Sequence, residues 1–399
     1  MITSGREFMS QTRLVQEVRK MQFLDVLSIW TEGRLGQEDA ARMLGVCART
    51  FRRYLERYQT EGLEGMADKR LTQASARKAP VDEVMALVGR YKARHRGWNA
   101  KHFHSWYRRE GGQRSYTWTK SRLQEASVIA KAPRRGAHRR RRERAPLPGM
   151  MLHQDGSTHE WVPSKMWDLI DTMDDATSEH YSMFFTDQEG TASSFQGVKE
   201  VILAHGLFCS LYTDRGSHYW LTPKAGGKVD KNTPTQFGRA MHQLGIEMIP
   251  AYSPEARGRS ERMFLTHQDR LVKELAAAGI TTMVEANRYL DEIYRPAFNR
   301  EFMVPAAEQG SSFVPAALEQ LEDILCEQHD RTVSRDNCVS FEGLTLQIPA
   351  DQYRCNYVKA AVRVLRYPDG TLALFHGPRK LVSYNPDGSL NPIRKERAA

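Results

Sequence analysis

No stretch of this 399-residue chain approaches the roughly 18 consecutive apolar residues needed to cross a bilayer, and nothing near Met1 is built like a secretory signal. The expectation is a soluble cytoplasmic chain with no membrane partner. Cysteine is scarce. Cys47, Cys209, Cys326, Cys338 and Cys355 are scattered, odd in number and without a CxxC pair, which argues against a zinc knuckle or a disulfide framework and fits a reducing compartment. There is no internal repeat at a fixed period. Acid is short relative to base, 48 Asp and Glu against 58 Lys and Arg, a formal charge of +10. With a pI near 9.3, that balance points to a polyanionic partner, and to nucleic acid over membrane because no amphipathic lipid-binding segment stands out. The length exceeds what one core organises and implies a modular chain.

Residues 1–72 read as a helix-turn-helix domain: "MQFLDVLSIW" and "GQEDAARMLGVCARTFRRYLERY" carry helical apolar spacing, with Gly45 interrupting two short helices. Phe51, Leu55 and Tyr58 take the core side of the second helix, leaving Arg49, Thr50, Arg52 and Arg53 for a DNA groove; the alternative is a helical scaffold with a solvated arginine face. Residues 78–131 read as a second helical DNA-binding domain in which Trp98, Trp106, Tyr107, Tyr116 and Trp118 sit among basic residues, or serve simply as core. Residues 132–149 are a basic linker. Its "KAPRRGAHRRRRERAP" run cannot bury a core, and Arg134, Arg135, Arg139, Arg140, Arg141 and Arg142 are suited to phosphates. A solubilising linker is the alternative. Residues 331–399, with "CVSFEGLTLQI", "AAVRVLRY", "LALFHG" and two "PDG" hairpin signals, predict a small β-barrel, a DNA-binding or an assembly module.

Between them, residues 150–310 alternate in the order β-β-β-α-β-α-β-α, which argues a mixed sheet with helices on its faces and a site at the strand ends. Three acids stand out by context: Asp155 in the first strand, Asp214 at the end of the fourth, and Glu261 at the start of the following long helix. If strands one and four are neighbours and the helix packs on that edge, the three converge. A cage of hard oxygen ligands suits Mg2+ or Mn2+, and a pair of such ions about 4 Å apart clamps the attacking and leaving oxygens of a phosphodiester. Arg257, Arg259 and Arg262 in "SPEARGRSERMF" supply charge for the phosphates. Glu255 is the rival ligand; Glu261 is preferred because it lies inside the helix, with Leu265 and Gln268 following on the same face, whereas Glu255 follows Pro254 in the loop. His153 and His218 flank the aspartates, either as structural histidines or to position a nucleophile.

The stretches "LHQDGSTHEW", "LYTDRGSHY" and "IPAYSPEARGRSERMFLTHQDRLVKEL" resemble the DDE transposases that share the retroviral-integrase core, and most of all the bacterial insertion-sequence transposases grouped as ISNCY. The resemblance covers nearly the whole chain. It implies a ribonuclease-H-like α/β catalytic core and carries the first aspartate onto Asp155, the second onto Asp214 and the glutamate onto Glu261. The gap from Asp214 to Glu261 is wider than in retroviral integrases, an excess ascribed to the loop "WLTPKAGGKVDKNTP". The resemblance further implies a metal-dependent phosphoryl transferase of the bacterial cytosol and nucleoid. It would act on double-stranded DNA, the terminal inverted repeats of a mobile element and a target, as a homo-oligomer in a synaptic complex. Water would free a 3′-hydroxyl that then attacks the target in line, with Asp155 bridging two ions. Rival readings are a DNA-binding regulator with an inert integrase-like domain, a different metal-dependent nuclease, and a recombinase recruiting Tyr252 or Ser253 as nucleophile.

Overall fold

The computed structural model describes residues 11–67, 79–131, 143–224, 227–252, 254–316 and 318–391, leaving aside the side chains of 11–15, 254–257, 259 and 318. The chain divides into two compact units, Met1–Leu87 and Val88–Ala399.

In the first unit, α1 (Gln11–Thr31), α2 (Gln37–Met43) and α3 (Ala48–Glu61) enclose Phe23, Val26, Ala40, Ala41, Phe51 and Leu55. The two alanines leave space for aromatic rings, and Phe23 meets Tyr58 edge-on at 5.6 Å. Gly45 makes the turn. Its φ of +65° lets the Val46 N–H reach the Ala41 carbonyl at 3.0 Å and the Gly45 N–H reach Arg42 at 3.0 Å, which closes the end of α2. A side chain there would cost about 1–2 kcal/mol.

The second unit holds the rest. α4 (Val81–Arg94) runs across the division at Leu87 and Val88, and α5 (Ala100–Arg109) and α6 (Tyr116–Glu125) follow it, with Asn99 and Ser115 capping the latter two through their side-chain oxygens. Tyr91, Trp98 and Phe103 are buried, so these rings serve as core.

The central sheet comprises β1 (Leu152–Val162), β2 (Lys165–Asp174), β3 (His180–Thr186), β4 (Ser210–Thr213) and β5 (Glu247–Pro250), in the order β3-β2-β1-β4-β5. β2 is antiparallel to β1 and β3, while β4 is parallel to β1 and to β5. α7 (Thr191–His205) and α8 (Gln236–Gln243) cover one face through Phe195, Val198, Phe237 and Met241. α9 (Pro254–Ala278), α10 (Met283–Tyr289), a π-helical turn and α11 (Arg295–Phe302) cover the other, where Phe264, Leu271, Leu275 and Phe298 meet Trp161, Trp167 and Leu169. Each fully buried leucine contributes about 1.5–3 kcal/mol. This is the mixed sheet with helices on its faces that the order of elements predicts.

The carboxy-terminal part departs from the expected barrel. After α12 (Leu321–Ile324) come β6 (Glu327–Thr332), β7 (Cys338–Phe341), β8 (Leu344–Gln347), β9 (Ala361–Arg366), β10 (Leu372–His376), β11 (Arg379–Tyr384) and β12 (Leu390–Asn391). They make an antiparallel sheet, β12-β11-β10-β9-β6, and a β7–β8 hairpin that share a core of Val339, Phe341, Leu346, Val364 and Leu374. Among the described residues no pairing joins β12 to β6, and β12 has only two residues with which to close a ring.

Candidate active site

β1 and β4 pair in parallel at Leu152↔Leu211 and His153↔Tyr212, and the same offset carried two residues further makes Asp155 level with Asp214. Asp214 stands one residue past the end of β4, where the chain leaves the sheet while β1 runs on. Backbone donors orient both carboxylates: the Gly156 N–H reaches Asp155 Oδ1 at 3.1 Å, and the Gly216 N–H reaches Asp214 Oδ1 at 2.8 Å. Asp155 is only 8% exposed.

α9 docks on that face, with Gln268 Nε2 donating to Ser157 Oγ at 3.0 Å, two residues along β1 from Asp155. Glu261 precedes Gln268 by two turns, within about 20° of the same helix face and about 10 Å along the axis. It is exposed. Among the described residues the three acids are not gathered within 4.8 Å of one another, and α9 supplies only the face for Glu261. Two expectations change here. α9 begins at Pro254, so Glu255 lies in its first turn and not in a loop; what separates the glutamates is helical phase, since Glu255 falls about 140° from Gln268. Leu265 is 65% exposed, and Phe264 is the residue that packs inward.

Sequence reasoning missed Glu189. A Cβ on Gly156 would meet its carboxylate at 2.2 Å, so the glycine after Asp155 permits this fourth acid to approach. Glu189 Oε1 lies 3.6 Å from His218 Nε2. Burial holds the His218 imidazole below its ordinary pKa, against the pull of Asp214. The Tyr219 phenol is pushed well up, first by burial and then by the negative charges of Glu189, Asp155 and Asp214. The signal for Glu189 in the sequence was the Asp155–Gly156 pair. His153, by contrast, is buried with Nε2 2.7 Å from Asp175 Oδ1, a structural pair.

The expected DNA contacts divide. Arg49, Arg52 and Arg53 are exposed on α3, while Thr50 is half-buried with its hydroxyl 3.2 Å from Cys47 Sγ. Arg134, Arg135, Arg139, Arg140, Arg141 and Arg142 lie outside the described residues, as do the side chains of Arg257 and Arg259. Arg262 is exposed and donates to the Gly258 carbonyl of its own helix. In the loop after Asp214, Trp220 and Val229 are buried and Arg215 donates to the Gly227 carbonyl at 2.8 Å, which folds that segment onto the core.

A second arrangement without a sequence signal anchors α9 to α5. Glu274, 5% exposed, accepts from His102 Nε2 at 2.9 Å, from Arg109 at 3.0 and 3.2 Å, and from the Tyr289 hydroxyl at 2.7 Å. Burial alone would raise the Glu274 carboxyl, but His102, Arg109 and Tyr289 together outweigh it and hold it at about 2. Burial depresses the His102 pKa, so the neutral ring donates from Nε2 and stacks on Trp98 at 3.8 Å.

Comparison with known proteins agrees with this architecture. Residues 26–80 match the winged helix-turn-helix family. The chain is 29% identical over 364 residues to a protein of Sinorhizobium fredii whose curated name is "Putative transposase y4bF", covering 89% of this chain and 78% of that one. It is 29% identical over 235 residues to the transposase for insertion sequence IS1202 of Streptococcus pneumoniae, which covers 58% of this chain and half of the relative's length. Among solved structures, a chain of the simian T-cell lymphotropic virus intasome aligns at 15% identity and TM-score 0.33, over 72% of this chain and 91% of that one. The HTLV-2 integrase catalytic core domain in complex with magnesium aligns at 16% and 0.29, over 38% and 90%. Likenesses this distant carry no functional weight. The chain is thus similar to insertion-sequence transposases and carries a helix-turn-helix segment ahead of a mixed α/β core. No helix among the described residues is long and apolar enough to cross a membrane.

Proposed function

We propose that this chain is a DDE-type transposase that binds the terminal inverted repeats of a mobile element and carries out divalent-metal-dependent strand cleavage and strand transfer. The observation that supports the reading is the β1–β4 register, whose offset, carried two residues past His153↔Tyr212, makes Asp155 level with Asp214 just beyond the end of β4. The similarity to transposases over most of the chain and the helix-turn-helix match agree with it. The donors suit a hard cation, because Asp155 and Asp214 offer carboxylate oxygens and a backbone N–H group already orients each of them. Bound there, a pair of Mg2+ or Mn2+ ions supplies Lewis-acid charge to the attacking and leaving oxygens of a phosphodiester.

The chain's own residues do the rest. Asp155 and Asp214 hold the site, Glu261 completes it from α9, and Arg257, Arg259 and Arg262 on that helix meet phosphates. Residues 1–72 and 78–131 bind the ends, the basic segment 132–149 tracks backbone, 150–310 form the catalytic core and 331–399 a further module. Acting on two ends calls for a homo-oligomer, and free thiols suit the cytosol. The test is cleavage and joining of DNA carrying the inverted repeats that bracket the gene. Asp155→Asn, Asp214→Asn and Glu261→Gln should each abolish both steps while retaining end binding, chelator should mimic them, and Glu255→Gln should stay active. Full activity of Asp214→Asn, or chelator resistance, refutes the reading.

A further inference from the structure

Behind the acidic site lies a second group of donors with a different chemistry. Asp171 on β2, His180 at the start of β3 and His267 on α9 are all buried, and one ligand atom from each lies within 4.8 Å of the other two. The placement depends on a β-bulge. The β2–β3 register runs Asp171↔Met183 and Thr172↔Ser182, then Met173↔His180, so Tyr181 is skipped. The extra residue reverses the alternation and turns His180 onto the face of Asp171, under α9. Its ring meets that of His267 edge-on at 5.2 Å, and its Nδ1 lies 2.6 Å from Asp171 Oδ1.

Two donor atoms in this group have no other use. Asp171 Oδ2 and His267 Nε2 are fully buried without a hydrogen-bond partner among the described residues. Each such orphan costs about 1–3 kcal/mol, and two in one pocket ask for a common occupant. The opposite nitrogen of His267, Nδ1, is engaged 2.9 Å from the Tyr294 hydroxyl, which holds the ring with Nε2 inward as outer-shell partners do for metal-bound imidazoles.

We propose that Asp171, His180 and His267 bind a zinc-type divalent ion that clasps α9, and with it Glu261, to the sheet that carries Asp155. Two imidazoles and one carboxylate suit Zn2+ in a tetrahedral setting, whereas the all-oxygen aspartate pair suits Mg2+. The inference is independent of the transposase reading, since it requires no DNA chemistry. Because the donors come from three elements and are buried, the ion enters as the chain folds, and its binding free energy becomes folding free energy.

The test uses the full chain, refolded with zinc or with cobalt as a spectroscopic substitute. One zinc per chain should remain after dialysis against a weak chelator, and Co2+ should give the intense visible bands of a tetrahedral nitrogen and oxygen site. The unfolding midpoint should rise with the metal. His267→Asn should lose the bands and the metal-dependent rise, while Asp214→Asn keeps both. Folded wild type, checked by circular dichroism, that takes up neither ion overturns the proposal and leaves a metal-free hydrogen-bond network. Thiolate charge-transfer bands would move the ion to cysteine, and bands lost in Asp214→Asn would move it to the acidic site; either result also overturns it.

Discussion

Asp155 on β1 stands directly across from Asp171 on β2, cross-strand partners on one face of the sheet, 8% and 2% exposed. Opposite residues in such a ladder bring their Cβ atoms to about 5 Å, and like charges there destabilise the pair by roughly 0.2–1 kcal/mol. Asp155→Asn should therefore raise the unfolding midpoint of protein stripped of all divalent metal, and it should abolish strand cleavage when Mg2+ is supplied. Mg2+ should then stabilise the wild type more than the variant, because the ion neutralises the repulsion that asparagine has already removed. Thermal unfolding with and without Mg2+ measures both effects, and a lower midpoint for the variant contradicts the pairing argument.

Glu274 ties stability to acid. The folded chain holds His102 below its ordinary value of 6.5, so as pH falls through that value the unfolded chain takes up a proton that the folded chain refuses, and stability drops. The Glu274 carboxyl, held at about 2 against an ordinary 4.5, contributes stability above 4.5 that is lost as pH falls towards 2. The unfolding midpoint should fall between pH 7 and 5 and more steeply below 4.5. His102→Gln should flatten the first step. Glu274→Gln should cost about 3 kcal/mol at pH 7, near the lower end for a broken buried pair because Arg109 keeps a third of its surface in water, and its deficit should shrink in acid. An unchanged first step in His102→Gln counts against this assignment.

Gly156 and Glu189 should act as one unit. Gly156→Ala places a methyl where the Glu189 carboxylate lies, and since that carboxylate ends a flexible side chain it can swing away at little cost in stability. Losing a negative charge near a doubly charged ion weakens ion binding by about 1 kcal/mol even at water-like dielectric, roughly fivefold. Gly156→Ala and Glu189→Gln should each raise the Mg2+ concentration for half-maximal cleavage by about that factor, and the double variant should be no worse than either alone. Additive losses in a Mg2+ titration would show that the two act separately.

The exposed arginines of α3 and those of the basic segment should fail differently. Alanine at whichever of Arg49, Arg52 and Arg53 reaches a base edge should cost about 1–3 kcal/mol and blur the preference for element ends over scrambled DNA. Replacing Arg139, Arg140, Arg141 and Arg142 with glutamine should weaken binding to every sequence alike, and should flatten the slope of log K against log salt by up to about 0.9 per lost phosphate contact. Salt titrations on both DNAs separate the two. Loss of end preference in the second variant would reverse the assignment.

Much of this was legible in the chain because it is local. Apolar period, the turn at Gly45 and the "PDG" hairpins depend on neighbours a few residues apart, and so did the order of strands and helices and the places of Asp155 inside β1 and Asp214 just past β4. The helical phase of Glu261 came from counting, although the start of α9 did not, because Pro254 opens a helix as readily as it prolongs a loop. Long-range pairing decided the rest. The bulge at Tyr181, the approach of Glu189 to Gly156, the strand order of the carboxy-terminal sheet and the Glu274 junction each depend on which distant segment packs alongside. A charge such as that of Glu274 reads in sequence as a solvated helix face; burial against His102 and Arg109, more than 160 residues away, is what turns it into a structural anchor.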